Sequence, residues 1–271
     1  MRNLKSILIV ATLLAFFGTS FAESGSAATE TRPFEYRLNA ADDLTLTVSA
    51  LAMTGFGTWL YSRMHTPDKI KDSDHLLPWD RPLAGRYSES ADLASDIGSV
   101  LAITPLFIGG CAWYGGNSTG TEFATFSLMF TQALAIGNGI NLAVRSLEIW
   151  PRPYMYAGSK KAEEAKAEAY GSFFSGHATA AFTVATFSDQ WFRYVYPNSP
   201  YKNIVRASAY SLAGLECALR VAAGKHYFTD VAVGALVGTG ISLGILEMHR
   251  EYNDKFTVWV GPNVAGVTFH I

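Results

Sequence analysis

The sequence predicts an all-α protein, a helical bundle of about six core helices that ends in a short C-terminal β-hairpin. The helices are predicted from apolar segments that exceed the length of a strand and are rich in Ala, Leu and Gly. The hairpin is predicted because apolar and polar residues alternate over 256–260 and 264–271, on either side of a turn. The six apolar segments are 44–61, 97–115, 123–144, 178–192, 203–222 and 231–248.

The composition excludes one class of partner. Of the 271 residues, 49% are hydrophobic and 16% are charged, against about 25% charged residues in average soluble proteins. The mean hydropathy of +0.14 lies between that of a soluble protein and that of a polytopic membrane protein. The net charge is -2 and the pI is near 6.3, so we expect no nucleic-acid partner.

The N-terminus has the three parts of a secretory signal peptide. Arg2 and Lys5 give a positive start, 7–17 an apolar core, and 20–22 a small-x-small cleavage site. An uncleaved anchor helix is the alternative, although the apolar stretch is short of the about 20 residues that cross a bilayer. We therefore expect export to the bacterial cell envelope. The predicted units are a signal peptide at 1–22, a helical domain at 23–255 and the hairpin at 256–271.

The sequence leaves open whether the helices cross a membrane. Residues 98–121 and 123–144 lack charges over lengths typical of spans, whereas charges interrupt other segments, as in a soluble bundle. By the positive-inside rule, basic residues after the fourth and sixth segments would be cytoplasmic, which places 145–177 and 220–230 outside. With a cleaved signal, this topology requires 44–61 to lie beside the membrane. The prediction is an inner-membrane protein with these loops facing the periplasm, and a soluble periplasmic protein is the alternative.

Other features have structural interpretations. Residues 62–96 form a long polar connection with three prolines, and 160–169 is typical of a short solvated helix, with a lid as the functional alternative. Cys111 and Cys217 are expected as buried free thiols, with one disulfide after export as the alternative. No cysteine or histidine spacing indicates a metal site, and no cofactor is predicted. Four histidines are expected on the surface or in loops: His65, His75, His249 and His270.

The first candidate motif, Arg145-x6-Arg152-Pro153, follows the third apolar segment. Two guanidinium groups offer planar pairs of donors that suit phosphate oxygens. Pro153 ends a helix and stiffens the loop that presents Arg152. Taken alone, two arginines at a helix end are usually solvated charges or interface anchors.

The second candidate motif, Phe174-Ser175-Gly176-His177, precedes an Ala- and Thr-rich helix. Ser175 suits the N-cap, and Gly176 lets the backbone approach a ligand closely. A helix N-terminus binds anions through its free N–H groups and its dipole. His177 could then protonate a leaving alkoxide, although a capping or surface histidine is the commoner interpretation.

The third candidate motif is Arg220-x5-His226-x3-Asp230. If Asp230 starts the last helix, its carboxylate can accept from His226 Nδ1, which leaves Nε2 as a nucleophile. Arg220 lies in an apolar run, where an unpaired charge is costly, so an anionic partner is expected. A salt bridge to Glu216 is the structural alternative.

In this order and with these spacings, the three motifs closely resemble those of the type 2 phosphatidic acid phosphatase superfamily. That superfamily includes bacterial class A acid phosphatases, lipid phosphate phosphatases and vanadium-dependent haloperoxidases, and its pattern is Lys-x6-Arg-Pro, Pro-Ser-Gly-His and Ser-Arg-x5-His-x3-Asp. The resemblance covers roughly 123–248. Arg145, Phe174 and Leu219 stand where the family has Lys, Pro and Ser. Phe174 is expected to put an apolar ring beside the phosphate, and Leu219 to remove a hydroxyl contact.

The resemblance implies a role for each matched residue. His226 would attack phosphorus to form a phosphohistidine, His177 would protonate the leaving group and later activate water, and Asp230 would orient His226. The implied fold is an all-α bundle with the three loops at one end, and neither metal nor cofactor is needed. The implied phosphate ligands are Arg145, Arg152, Ser175, the Gly176 amide and Arg220.

The leading functional hypothesis is a metal-independent phosphatase that hydrolyses phosphomonoesters or pyrophosphates of envelope lipids. A soluble domain would instead act on small phosphomonoesters as a non-specific acid phosphatase. Two further alternatives are a vanadate-dependent haloperoxidase, in which His226 would ligate vanadium, and an inactive envelope protein. The sequence does not fix the oligomeric state.

Overall fold

The computed structural model describes residues 36–65, 72–98, 102–158, 160–163, 165, 167–250, 256–261 and 264–269. The predicted signal peptide lies outside the described residues. The described part contains seven helices of more than one turn, which confirms the all-α prediction. They are α1 (Ala40–Tyr61), α2 (Glu89–Gly98), α3 (Thr104–Tyr114), α4 (Gly120–Arg145), α5 (Gly176–Val195), α6 (Lys202–Ala222) and α7 (Phe228–His249).

Helices α4, α5 and α7 form the centre of the bundle. Helix α1 packs along α4, α6 packs along α5, and α5 also packs on α7. The main buried cluster joins the three central helices through Phe126, Met129, Phe187, Trp191 and Leu246. Because burying an apolar side chain of this size contributes about 1.5–3 kcal/mol, this cluster is a major source of stability.

Helix α1 runs parallel to α4. Thr54 Oγ1 donates to Ala135 O at 2.9 Å, and near the two C-termini Arg145 Nη2 donates to Tyr61 OH at 3.1 Å. Between these contacts, a Cβ on Gly57 would lie 2.6 Å from a backbone oxygen of α4, so this close approach requires glycine. Because α1 and α4 end on the same side, α2 and α3 together return the chain to the start of α4.

Three helix starts are explained by capping or first-turn residues. Thr119 Oγ1 accepts from Glu122 N at 3.2 Å and Glu122 Oε2 accepts from Thr119 N, which is a capping box at α4. Ser175 is the N-cap of α5, as predicted. Asp230 lies in the first turn of α7, also as predicted.

The region before α4 differs from the prediction. The sequence predicts one helix over 97–115, but α2 ends at Gly98 and α3 begins at Thr104, with a proline in its first turn. Helix α2 begins inside the predicted polar connection and packs on α6. Hydrophobic periodicity misses α2 because Asp92 and Ser95 are buried while Leu93 is exposed.

The predicted solvated helix at 160–169 is also wrong in detail. A single α-turn at Lys160–Glu163 is followed by a 3₁₀ turn at Ala167–Tyr170. Ala169 is fully buried and clusters with Tyr154 and Met155, so the second half packs on the domain. Further 3₁₀ turns lie at Ser73–His75, Arg81–Leu83 and Pro153–Ala157.

Strands β1 (Phe256–Gly261) and β2 (Val264–Phe269) form the C-terminal hairpin. They pair antiparallel, with Phe256 opposite Phe269 and Gly261 opposite Val264. Residues 262–263 of the predicted turn lie outside the described residues. The two cysteines, Cys111 and Cys217, are free as predicted but only partly buried.

Helices α4 and α7 are long and apolar enough to cross a membrane, judged by length and composition. Of the most apolar stretch of each, 44% in α4 and 33% in α7 is buried inside the bundle. Large apolar side chains also face outward from three helices, a feature that marks membrane or protein contacts. They are Leu44, Val48, Leu51, Met53, Phe56 and Trp59 of α1, Ile204, Leu212 and Leu215 of α6, and Phe228, Leu236, Leu243 and Met248 of α7.

His249 is not the surface or loop residue that the sequence predicts. It is buried at the end of α7, where Nε2 lies 2.7 Å from Asp43 Oδ1 and Nδ1 lies 2.7 Å from Ile245 O. Gln132 Nε2 donates to the same Asp43 oxygen at 3.3 Å. The expectation fails because Asp43 is 206 residues away in the chain, so no local pattern reveals the contact.

Candidate active site

The three predicted motifs meet at one end of the bundle, where α4 and α6 end and α5 and α7 begin. Arg145 is the last residue of α4, and Arg220 lies in the last turn of α6. Ser175 caps α5, and its backbone N–H donates to Asp230 O at 3.0 Å, which joins the starts of α5 and α7. Residues far apart in sequence therefore share one end of the fold.

Backbone pairing between two loops fixes the first motif against the second. Arg152 N donates to Ala169 O at 2.8 Å, and Ser172 N donates to Trp150 O at 3.0 Å. In the same loop, the carbonyl oxygen of Gly171 accepts from Arg145 Nε at 2.9 Å. The guanidinium of Arg145 also lies 4.8 Å from the centre of the Tyr61 ring, so α1 supports it from the other side.

The N-terminus of α5 is held by Asn141. Asn141 Nδ2 donates to Phe174 O at 2.6 Å, and a Cβ on Gly176 would lie 2.7 Å from Asn141 Oδ1. Glycine at this position therefore makes room for a neighbouring side chain, in addition to the predicted ligand approach. The ring of Phe174 is buried and meets Phe173 edge-on at 5.9 Å, and the peptide bond between them is cis.

His226 is almost completely buried, with 2% of its surface exposed. Its Nδ1 lies 2.9 Å from Ser172 O and 3.4 Å from Asp230 Oδ2. Because a carbonyl oxygen only accepts hydrogen bonds, Nδ1 carries the proton in the neutral ring and Nε2 keeps its lone pair. Asp230 is next to the imidazole, as predicted, but it is not the nearer acceptor.

The carboxylate of Asp230 is fully buried and held by three donors. Oδ2 accepts from Ser172 Oγ at 2.6 Å and from Tyr227 N at 2.9 Å. Oδ1 accepts from Trp150 Nε1 at 3.1 Å. The sequence patterns do not identify Ser172 or Trp150, because Ser172 lies outside the motifs and Trp150 occupies an unspecified position of the first motif.

Arg220 is held by α2. Its Nη1 lies 2.9 Å from Ser95 Oγ, 3.4 Å from Asp96 Oδ1 and 3.7 Å from Asp92 Oδ1. Ser95 Oγ also donates to Glu216 Oε1 at 2.6 Å. Among the described residues the ion pairs of Arg220 are therefore with these two aspartates, whereas Glu216 acts on it through its charge without forming the salt bridge considered from the sequence. Ser95 supplies a hydroxyl to this arginine.

The charges of the predicted phosphate ligands act on the nucleophile candidate. Burial is the main cause that lowers the pKa of His226 well below its ordinary value. The positive charges of Arg152, Arg220 and Arg145, and then that of His177, lower it further. His226 is therefore neutral, with a free lone pair, over the whole range near neutral pH.

The same cationic group surrounds His177, in the first turn of α5. Burial lowers the pKa of His177 to about 4, together with the charges of Arg220, Arg152, Arg145 and Lys225, in that order. Lys225 also forms an ion pair with Asp92, with 3.0 Å between Nζ and Oδ2. Three arginines and a lysine thus make a strongly positive environment that a bound anion would neutralise.

The comparison with known families agrees with this geometry. A family model described as the PAP2 superfamily matches residues 124–254, which include every predicted site residue. Residues 124–254 belong to the PAP2 superfamily. This superfamily match supports a phosphoric-ester hydrolase in general terms. No curated protein and no solved structure matches the chain significantly.

Two buried arginine nitrogens lack partners within the described part of the chain, at the end of the bundle where the three motifs meet. Arg152 Nε and Arg220 Nε are buried and have no hydrogen-bond partner among the described residues. Each such unpaired donor costs about 1–3 kcal/mol, which bound anion oxygens would offset. Across the described residues, no group of three or more His, Cys, Asp or Glu side chains could hold a metal ion.

Proposed function

We propose that this PAP2 protein is a phosphatase that hydrolyses phosphomonoesters or pyrophosphates, chiefly those of envelope lipids, through a phosphohistidine at His226. His177 is the acid and base of the reaction, and Asp230 orients His226. The phosphate ligands are Arg145, Arg152, Ser175, the Gly176 amide and Arg220. The observation that carries the proposal is the free Nε2 of a neutral, buried His226 within the field of three arginines.

The first chemical step transfers the phosphoryl group to the enzyme. His226 Nε2 attacks phosphorus while the bond from phosphorus to the leaving oxygen breaks. His177 donates a proton to that oxygen, so the leaving alcohol or phosphate departs with its oxygen protonated. The arginines stabilise charge on the non-bridging oxygens, which is the main electrostatic need of phosphoryl transfer.

The second step returns the enzyme to its starting state. His177, now neutral, takes a proton from water, and the oxygen attacks phosphorus as the P–N bond to His226 breaks. Inorganic phosphate leaves and the lone pair returns to Nε2. A phosphate dianion offsets the cations around His177, so bound substrate favours the protonated form that the first step needs.

The outward apolar faces of α1, α6 and α7 support a substrate drawn from a membrane. Both spanning candidates, α4 and α7, have a terminus at the site end. The opposite end carries Arg193, Lys202 and Arg206, in line with a cytoplasmic location under the positive-inside rule. We therefore propose an inner-membrane protein whose site faces the periplasm.

A soluble periplasmic enzyme that acts on small phosphomonoesters is the alternative, and the N-terminus distinguishes the two. Helix α1 begins at the end opposite the site, so a spanning bundle with a periplasmic site keeps residue 40 on the cytoplasmic side. Cleavage after Ala22 would instead release the start of the chain into the periplasm. Recovery in the carbonate-washed membrane pellet with an intact N-terminus supports the first proposal, and a soluble chain that starts at residue 23 supports the second.

The catalytic proposal is tested with the purified full chain and a generic phosphomonoester. We expect phosphate release, a trapped phosphoenzyme that is labile to acid and stable to base, and loss of both in His226→Ala. His75→Ala is the matched control, because His75 is exposed and lies outside the motifs. Phosphate release by His226→Ala at the wild-type rate would overturn the mechanism, and no release by the wild type would overturn the function.

A further inference from the structure

We propose that Ser172 and Trp150 are positioning residues for the catalytic pair His226 and Asp230. The inference rests on the phosphatase function proposed above. Ser172 is fully buried and contacts both members of the pair, His226 through its backbone carbonyl and Asp230 through its side-chain hydroxyl. Trp150 contacts only the carboxylate, through its indole N–H.

The carbonyl of Ser172 sets the tautomer of His226. It lies 2.9 Å from Nδ1, within the usual range for an N–H···O hydrogen bond, whereas Asp230 Oδ2 at 3.4 Å lies beyond it. The backbone oxygen can only accept, so it keeps the proton on Nδ1 whether or not the carboxylate is charged. Nε2 is thereby kept as the nucleophilic nitrogen.

The hydroxyl of Ser172 and the indole of Trp150 fix the carboxylate of Asp230. Each carboxylate oxygen has its own side-chain donor, at 2.6 Å from Ser172 Oγ and 3.1 Å from Trp150 Nε1, and Tyr227 N adds a third bond at 2.9 Å. The negative charge therefore stays beside the imidazole. There it stabilises the positive charge that develops on the ring as Nε2 bonds to phosphorus.

The two residues also hold each other. Ser172 N donates to Trp150 O at 3.0 Å, which joins the loop before Arg152 to the loop before Ser175. These two loops therefore help to position both the proposed phosphate ligands and His226. Removing the side-chain donors, while the backbone contacts remain, isolates the effect on Asp230.

A double-mutant cycle tests this role. We expect Ser172→Ala and Trp150→Phe each to lower kcat about 10- to 100-fold, as for hydrogen-bond partners that orient a reactive group, with KM changed less than about twofold. In an Asp230→Asn background, the same changes should have little further effect, because they act through the carboxylate. The control is Ser242→Ala, which removes a buried hydroxyl that bonds to Gly238 O at 2.7 Å within α7.

The tautomer is tested by the nitrogen NMR signals of the histidines. We expect His226 to remain protonated on Nδ1 in Asp230→Asn, because the Ser172 carbonyl is unchanged. A shift of the proton to Nε2 in that variant would show that Asp230 sets the tautomer and would overturn this part of the proposal.

The outcomes separate this inference from the function itself. If the wild type releases phosphate and His226→Ala does not, but Ser172→Ala and Trp150→Phe keep the wild-type kcat or lose activity additively with Asp230→Asn, the positioning role is wrong and the function stands. If Ser172→Ala does not fold, Trp150→Phe decides, since Trp150 is only partly buried. If Ser242→Ala lowers kcat as much as Ser172→Ala and Trp150→Phe do, that result also contradicts the inference.

Discussion

His226 and His249 lie at the two ends of α7 and share a local design. His226 precedes the first residue of the helix by two positions, and His249 is its last residue. Both are buried, and the Nδ1 of each lies within 3 Å of a backbone carbonyl, at 2.9 Å for His226 and 2.7 Å for His249. An aspartate is adjacent in both cases, at 3.4 Å from His226 and 2.7 Å from His249.

The difference lies at Nε2. In His249 this nitrogen contacts Asp43, so both ring nitrogens are occupied. In His226 no described residue forms a hydrogen bond with it, and the charges of three arginines surround the ring. A buried His–Asp pair is therefore a structural clamp when both nitrogens are satisfied. It is suited to catalysis when one nitrogen remains free among cations that bind the substrate.

The largest effect is expected from removing a cation at the His226 end. Arg152→Met should lower kcat/KM about 100- to 1000-fold, since it deletes a donor to the charged oxygens of the transition state. Arg206→Met removes an arginine from the other end, where it bonds to Asp189 at 2.9 Å, and should change kcat/KM less than about twofold. Steady-state kinetics of both variants test this. Equal losses of kcat/KM in the two variants would show that the cations at the two ends do not differ in function.

The second largest effect is expected on the free energy of unfolding, when His249 is replaced. His249→Ala should lower the free energy of unfolding by about 3 kcal/mol, because it removes the histidine partner of the buried Asp43 carboxylate and leaves it the longer hydrogen bond from Gln132 at 3.3 Å. The kcat should stay within about twofold of the wild type. Denaturant unfolding and kinetics of the same preparation measure both quantities. A variant that loses kcat while it keeps its stability would show that this pair also serves the reaction.

A smaller effect is expected from pH. Burial and the nearby positive charges lower the pKa of His177 to about 4, and a bound anion should raise it again. Anion binding is then coupled to proton uptake, so phosphate should inhibit more strongly as the pH falls from 7 toward 5, by about tenfold for each pH unit by which the raised pKa exceeds the assay pH. His177→Gln removes this coupling but keeps the titration of phosphate itself. Inhibition constants with the same pH dependence in both proteins would contradict it.

The smallest effect is expected from chelators. The proposed reaction uses histidine and arginine side chains, so EDTA should leave the phosphatase rate within about 20% of the untreated enzyme if electrostatic stabilisation comes from the arginines alone. Dialysed protein assayed with and without EDTA gives the answer. Loss of activity that added Mg²⁺ or Zn²⁺ restores would show that a metal takes part.

Much of the site could be predicted because its parts lie in short local patterns. Ser175 caps α5 and Asp230 starts α7 as expected, since a helix start is set by the few residues around it. The three motifs also meet at one end, as the resemblance implied. What remains a prediction is the chemical role of each residue, which the kinetic variants above must test.

The sequence by itself determined the all-α fold, the starts of α5 and α7, and the family, because periodicity, capping and motif spacing are properties of neighbouring residues. Only the tertiary structure decided which carbonyl holds His226, which donors fix Asp230, and that α2 supports Arg220. These contacts join residues 54, 58, 80 and 125 positions apart. They depend on how the helices pack, and no pattern along the chain records which distant groups that packing brings within hydrogen-bonding distance.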